Sequence, residues 1–127
     1  MNSSAPSLNA DLSLRMHVDS AAMSWTPSPG GEVLRKRLHR VGPAESGQVT
    51  SIVRYQPGAK FPAHDHPQGE EILVLEGGFE EAGEHFEAQS WLRLPKNSAS
   101  TAIAGPEGAR LWIKRNHLAT PPSAPKV

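Results

Sequence analysis

The stretch from Gly58 to Gly77, GAKFPAHDHPQGEEILVLEG, decides how the rest of the chain is read. It carries His64 and His66 two residues apart, breaks at Pro67, Gln68 and Gly69, and resumes with Glu70 before the apolar run from Ile72 to Leu75. Side chains two apart on a β-strand share a face, so a strand through the histidines projects both together and turns Asp65 the other way. The Pro-Gln-Gly segment favours a turn, which lets Glu70 enter the next strand facing the same pocket. Two imidazoles and one carboxylate converging on a point form a three-ligand set for a divalent metal. In non-heme iron oxygenases such a set holds the metal on one side and leaves the remaining positions open. Alternation turns Glu71 to solvent when Glu70 points in, and a register slip of one residue would exchange the two.

The same period of two extends outward. Val49, Ser51, Val53 and Tyr55 alternate with Thr50, Ile52 and Arg54 in QVTSIVRYQ, residues 48–56. Leu92 and Leu94 alternate with Trp91 and Arg93, and Leu111 and Ile113 with Arg110, Trp112 and Lys114. Further strands are expected at LSLRMHV (residues 12–18), MSW (23–25), EVLRKRLHRV (32–41), the histidine segment and EILVLEG. GGFEEAGEHFEA reads as a hairpin region, SWLRLP as a strand, and the stretch before ARLWIKR as a polar loop. Short strands divided by Gly and Pro signals, with no amphipathic helical stripe, predict an all-β sandwich or barrel.

At 127 residues the chain is long enough for one ordinary domain. Thirteen basic and thirteen acidic residues cancel, which argues against a nucleic-acid partner and an anionic membrane surface. The absence of cysteine excludes disulfides, thiolate metal sites and cysteine nucleophiles. No stretch approaches a transmembrane helix, no secretory signal is visible in MNSSAPSLNADLS, and the expected location is cytoplasmic. The expected organisation is a flexible leader over residues 1–11, a single β-barrel domain over 12–118 and a flexible Pro-rich tail over 119–127.

With these elements in place, the sequence resembles the cupins, small jelly-roll barrels also called double-stranded β-helices or RmlC-like folds. Their first motif is a Gly, five residues, His-x-His, three or four residues, Glu, six residues and Gly. Gly58, His64, His66, Glu70 and Gly77 match it position by position. Within the cupins, TSIVRYQPGAKFPAHDHPQGEEILVLEGGF, SWLRLP and LWIKRNHL look like the ChrR-like group, over roughly residues 23–118. That group includes the cupin half of a zinc-binding anti-sigma factor and relatives of metal-dependent dioxygenases that cleave diketones and acetophenones.

The resemblance implies one divalent ion, Fe, Zn, Ni or Mn, held by His64, His66 and Glu70. It also implies a fourth ligand, a His a few residues after the Arg-x-Pro strand. Here Ser100 stands about there, and no His lies between His85 and His117. Three protein ligands plus water suffice for a catalytic type of zinc or iron site. A loop could also bring in His39, His85 or His117.

Arg35, Arg37 and His39 share one strand face, to hold an anionic substrate or to lie on a solvated sheet surface. Trp91, Trp112, Tyr55 and Phe79 either line a ligand cavity or fill the core. Three functions compete: a metal-dependent oxygenase (dioxygenase) or lyase acting on a small diketone-like molecule, a small-molecule or metal sensing module, and a metal-free structural cupin. The expected partners are a small-molecule substrate or ligand and a second copy in a homodimer.

Overall fold

The computed structural model describes residues 7–43 and 46–118, and the side chains of all of these except 61–66, 99 and 100. The expected tail and the first six leader positions lie outside the described residues. Eight antiparallel strands follow a short 3-10 turn at Ser20–Ala22: β1 Thr26–Pro27, β2 Val33–Val41, β3 Gln48–Tyr55, β4 Lys60–His66, β5 Glu70–Glu81, β6 Glu84–Glu87, β7 Trp91–Leu94 and β8 Ser98–Arg115. The fold is all-β, as the alternation requires.

Two long strands organise the rest. The C-terminal half of β8 lies between β3 and the N-terminal half of β5: Ile113 pairs with both Ser51 and Ile72, and Leu111 with both Val53 and Val74. The N-terminal half of β8 lies between β4 and the far end of β5, where Ala102 pairs with Phe61 and Glu81. The sheet order β1-β2-β3-β8-β5-β6, with β4 added to β8 and β7 to β5, therefore passes through β5 and β8 twice. The pairing of these strands shifts between Gly77 and Phe79. Gly77 and Gly108 both have positive φ there, and a Cβ on Gly77 would overlap the Gly108 carbonyl. Only glycine supports that close approach at a corner.

The corners fold the sheet around one core. Val33, Val53, Ile72, Val74, Phe79, Leu94, Ala102, Ala109, Leu111 and Ile113 form it, with Leu111 and Phe79 almost fully enclosed. Phe79 packs on Phe86 across the β5–β6 hairpin, with ring centroids 5.4 Å apart. Ala82 and Gly83 turn that hairpin with positive φ at both positions, the geometry that matches strand twist in a two-residue loop.

Two expectations fail. No strand forms over residues 12–18 or 23–25; β1 lies just beyond, at Thr26–Pro27. The earlier segment touches the sheet through the isolated Leu8–Arg40 bridge, through the Asn9 side chain, which donates to the Leu38 carbonyl at 2.7 Å, and through Lys36, which donates to the Ser20 carbonyl and lies over the Trp25 ring. Leu12, Leu14 and Met16 alternate as strand residues do, yet they stay exposed because no neighbouring strand accepts their backbone groups. Conversely, the expected polar loop before ARLWIKR is the first half of β8. Ser98, Ala99, Ser100 and Ala102 have little intrinsic strand preference, and pairing with β4 supplies what the side chains lack. No described helix is long and apolar enough to cross a membrane.

Candidate functional site

Glu70 opens β5 on the same face as Ile72 and Val74, and all three are buried. Glu71, on the other face, forms an outward ion pair with Arg93 at 3.1 Å. Arg93 also lies over the Trp91 ring, which is exposed rather than part of the core. The register anticipated for the two carboxylates is therefore the one that forms. Burial pushes the Glu70 carboxyl up to about 7, against the opposing pull of Arg115 and Arg35.

The strand that carries the histidines runs along a neighbour the sequence did not show. β4 pairs with β8, not with β5. Across that ladder His64 stands opposite Ser100 and His66 opposite Ser98. The chain then crosses through Pro67, Gln68 and Gly69 to the half of the sheet that begins at Glu70. The side chains of His64 and His66 lie outside the described residues, so the convergence of the three groups is not part of this geometry.

Asn116 holds the crossing in place. It directly follows β8 in a left-handed conformation (φ 62°) and is buried. Its side-chain oxygen accepts from the Gln68 N–H at 3.0 Å, and its amide nitrogen donates to the Gly47 carbonyl at 2.9 Å. Its own N–H donates to the Gly69 carbonyl at 2.8 Å. One side chain thus ties the turn before Glu70 to the loop before β3. Nothing in the residue types singled it out; an Asn just past the last strand is an ordinary turn residue.

Glu70 looks into a cavity of about 110 Å³ inside the barrel. Its walls include Val49, Ser51, Val53 and Tyr55 of β3, Ile113 and Arg115 of β8, and Arg35, Arg37 and Arg40 of β2. The arginine run on β2 is therefore not a solvated outer face. A β-bulge between Arg37 and His39 adds Leu38 to the strand, so that Arg37 pairs with Ser51, His39 with Thr50 and Arg40 with Val49. That extra residue turns Arg40 inward and removes His39 from the face it was expected to share.

His39 instead lies beside His117, ring centroids 6.0 Å apart, away from the cavity. His85 is exposed in the β5–β6 hairpin. None of these three therefore lines the cavity beside Glu70. Of the four aromatic residues, Tyr55 lines the cavity, Phe79 is core, Trp91 is exposed, and Trp112 is half-buried on the face of β8 opposite Leu111 and Ile113. Burial, together with the neighbouring Glu70 carboxylate, raises the Tyr55 phenol well above its ordinary range, so it stays protonated and can donate.

A family model described as the ChrR cupin-like domain matches residues 13–119, nearly the whole described chain. The chain belongs to the ChrR cupin-like family. Solved cupin folds superpose on it at low sequence identity. An acetylacetone dioxygenase from Acinetobacter johnsonii matches with a TM-score of 0.69 and 19% identity, over 84% of this chain and 77% of that one. The complex of Rhodobacter sphaeroides SigE with the anti-sigma ChrR matches with a TM-score of 0.63 and 21% identity, over 74% of this cupin but only 50% of that chain. KdgF from a Halomonas species matches with a TM-score of 0.63 and 18% identity, over 82% of this chain and 96% of that one. Identities this low establish the jelly-roll fold alone. The curated proteins include no match.

Proposed function

We propose that this cupin is a metal-dependent oxygenase or related lyase for a small oxygenated, diketone-like molecule, with His64, His66 and Glu70 as the metal ligands. The observation that carries the reading is Glu70: a carboxylate 8% exposed, on the cavity wall, at the position the first cupin motif reserves for a ligand. The donor set fits the cation. Two imidazoles and a carboxylate suit iron, zinc, nickel or manganese, and a carboxylate buried at a cost in solvation is stabilised by coordination.

When bound, such an ion supplies Lewis acidity at its open positions and, if iron, a site for dioxygen. The chain's own residues do the rest. The Pro67-Gln68-Gly69 turn, held by Asn116, presents Glu70 to the cavity. Tyr55 keeps a protonated phenol on the cavity wall, and the walls at Val49, Val53 and Ile113 exclude water from one side. The acetylacetone dioxygenase likeness supports the diketone class.

Protein purified without chelator is expected to hold about one divalent ion per chain, and iron-loaded protein to consume oxygen with members of a diketone panel. Metal-free protein as isolated would sink the reading.

A second reading is a non-enzymatic sensing or binding module. It is favoured by the family's own description and by the ChrR likeness. Saturable binding of the same small molecules without oxygen uptake or product would select it.

A further inference from the structure

The chain as a whole is electrically balanced, but the described lining of its cavity is not. Among the described residues there, four are arginines, Arg35, Arg37, Arg40 and Arg115, against the one carboxylate of Glu70. Guanidinium groups remain charged at any ordinary pH, so the excess is permanent. It is also unfavourable by itself. Burial and like charges lower the Arg35 and Arg37 groups, Arg35 through Arg115, and Arg37 through Arg40 and Arg35. All four are half-buried, and charges withdrawn from water persist best when they are paired. The Nε of Arg115 is buried with no hydrogen-bond partner among the described residues. Arg40 joins the cluster only because the Leu38 bulge turns it inward.

We propose that the cavity binds a small organic acid, its carboxylate held by Arg37, Arg40 and Arg115 and its carbon skeleton laid against Val49, Val53 and Ile113. Guanidinium is the side chain whose planar fork matches a carboxylate with two parallel hydrogen bonds. The apolar wall decides between an organic acid and an inorganic oxyanion, since a bare phosphate would leave it uncovered. Size narrows the class further. A cavity of about 110 Å³ has room for a short mono- or dicarboxylate or for the acidic end of a longer one. The inference rests on reading the barrel interior as a ligand chamber, and not on the metal.

The test is calorimetric titration of the full chain, stripped with chelator and dialysed, with malonate, succinate and inorganic phosphate, against chloride at matched ionic strength. Stripping removes the route in which a dicarboxylate binds through a bound cation. One carboxylate is expected to bind saturably, near one per chain. Arg37→Gln and Arg40→Gln are each expected to weaken it about tenfold or more, the loss of a charge-assisted hydrogen bond. Both variants relieve like-charge repulsion and are expected to fold, with far-ultraviolet circular dichroism as the check. Arg54→Gln, exposed on the outer face of β3, is expected to change nothing.

Carboxylates that bind no better than chloride, equal losses in Arg54→Gln, or phosphate bound in preference to every carboxylate would each overturn the proposal. Protein that binds succinate but holds no metal as isolated would end the metal reading and leave this one standing.

Discussion

Glu70 and Arg115 are paired across β5 and β8, and both side chains enter the same interior cavity. The pairing places a carboxylate next to a cation in a space too small to hydrate either fully. Because Glu70 also pairs with Leu94 of β7 on its other side, it sits within the sheet rather than at an edge. The balance of those surroundings is unfavourable to its charge, since burial outweighs the arginines.

That imbalance gives the metal-free protein a defined pH dependence. Glu70 titrates at 4.5 when unfolded and at about 7 when folded, so between these values the native state binds more protons. Its contribution to stability is complete below pH 4.5, declines through that window, and is lost above about pH 7, by roughly 3 kcal/mol. Denaturation of chelated protein at pH 5 and pH 8 is expected to show the decline. Glu70→Gln is expected to abolish it and to be the more stable protein at pH 8.

Metal binding should run in the opposite sense. A carboxylate must be deprotonated to coordinate, so the affinity of the proposed site is expected to rise with pH through about 7. His64→Ala is expected to lose most of the bound ion. Metal retained at wild-type stoichiometry in that variant would remove His64 from the ligand set.

Ser100 stands opposite His64 on the β4–β8 ladder. If it occupies the position of the fourth ligand of its relatives, Ser100→His is expected to tighten metal binding, by at least tenfold in a competitive chelator titration. An unchanged affinity would show that β8 presents that position elsewhere.

Asn116→Ala tests the turn. The substitution leaves the half-buried Gln68 N–H and the buried Gly47 carbonyl without their partner, at a cost of about 1–3 kcal/mol. Urea denaturation is expected to show that loss. The affinity for metal is expected to fall further than stability alone explains, because the segment presenting Glu70 is no longer held. Destabilisation with undiminished metal affinity in the folded fraction would make Asn116 structural only.

The substitution Gly69→Ala is expected to be as harmful without touching any polar group. Gly69 has φ 76°, and a Cβ there would collide with the Leu94 carbonyl and the Leu118 side chain. Left-handed backbone alone costs a non-glycine residue about 1–2 kcal/mol. A melting temperature within a degree of wild type would show that the turn relaxes without cost.

The residues determined by themselves which face each side chain takes along an unbroken strand, once that strand forms. The burial of Glu70 with Ile72 and Val74, the outward turn of Glu71, and the inward set Ser51, Val53, Leu111 and Ile113 all follow from parity along one segment. Arg115 shares that parity, but a charged residue at a strand end reads as solvent-facing until the strand is seen to stop inside the barrel.

Tertiary structure decided what no single segment contains. The Leu38 bulge exists only as a two-to-one match between β2 and β3, and it alone separates His39 from the arginines and brings Arg40 in. The polar run from Ser98 becomes a strand only because β4 and β5 lie on either side of it. Residues 12–18 have the alternation of a strand and do not form one, since backbone hydrogen bonds need a neighbour as well as a pattern.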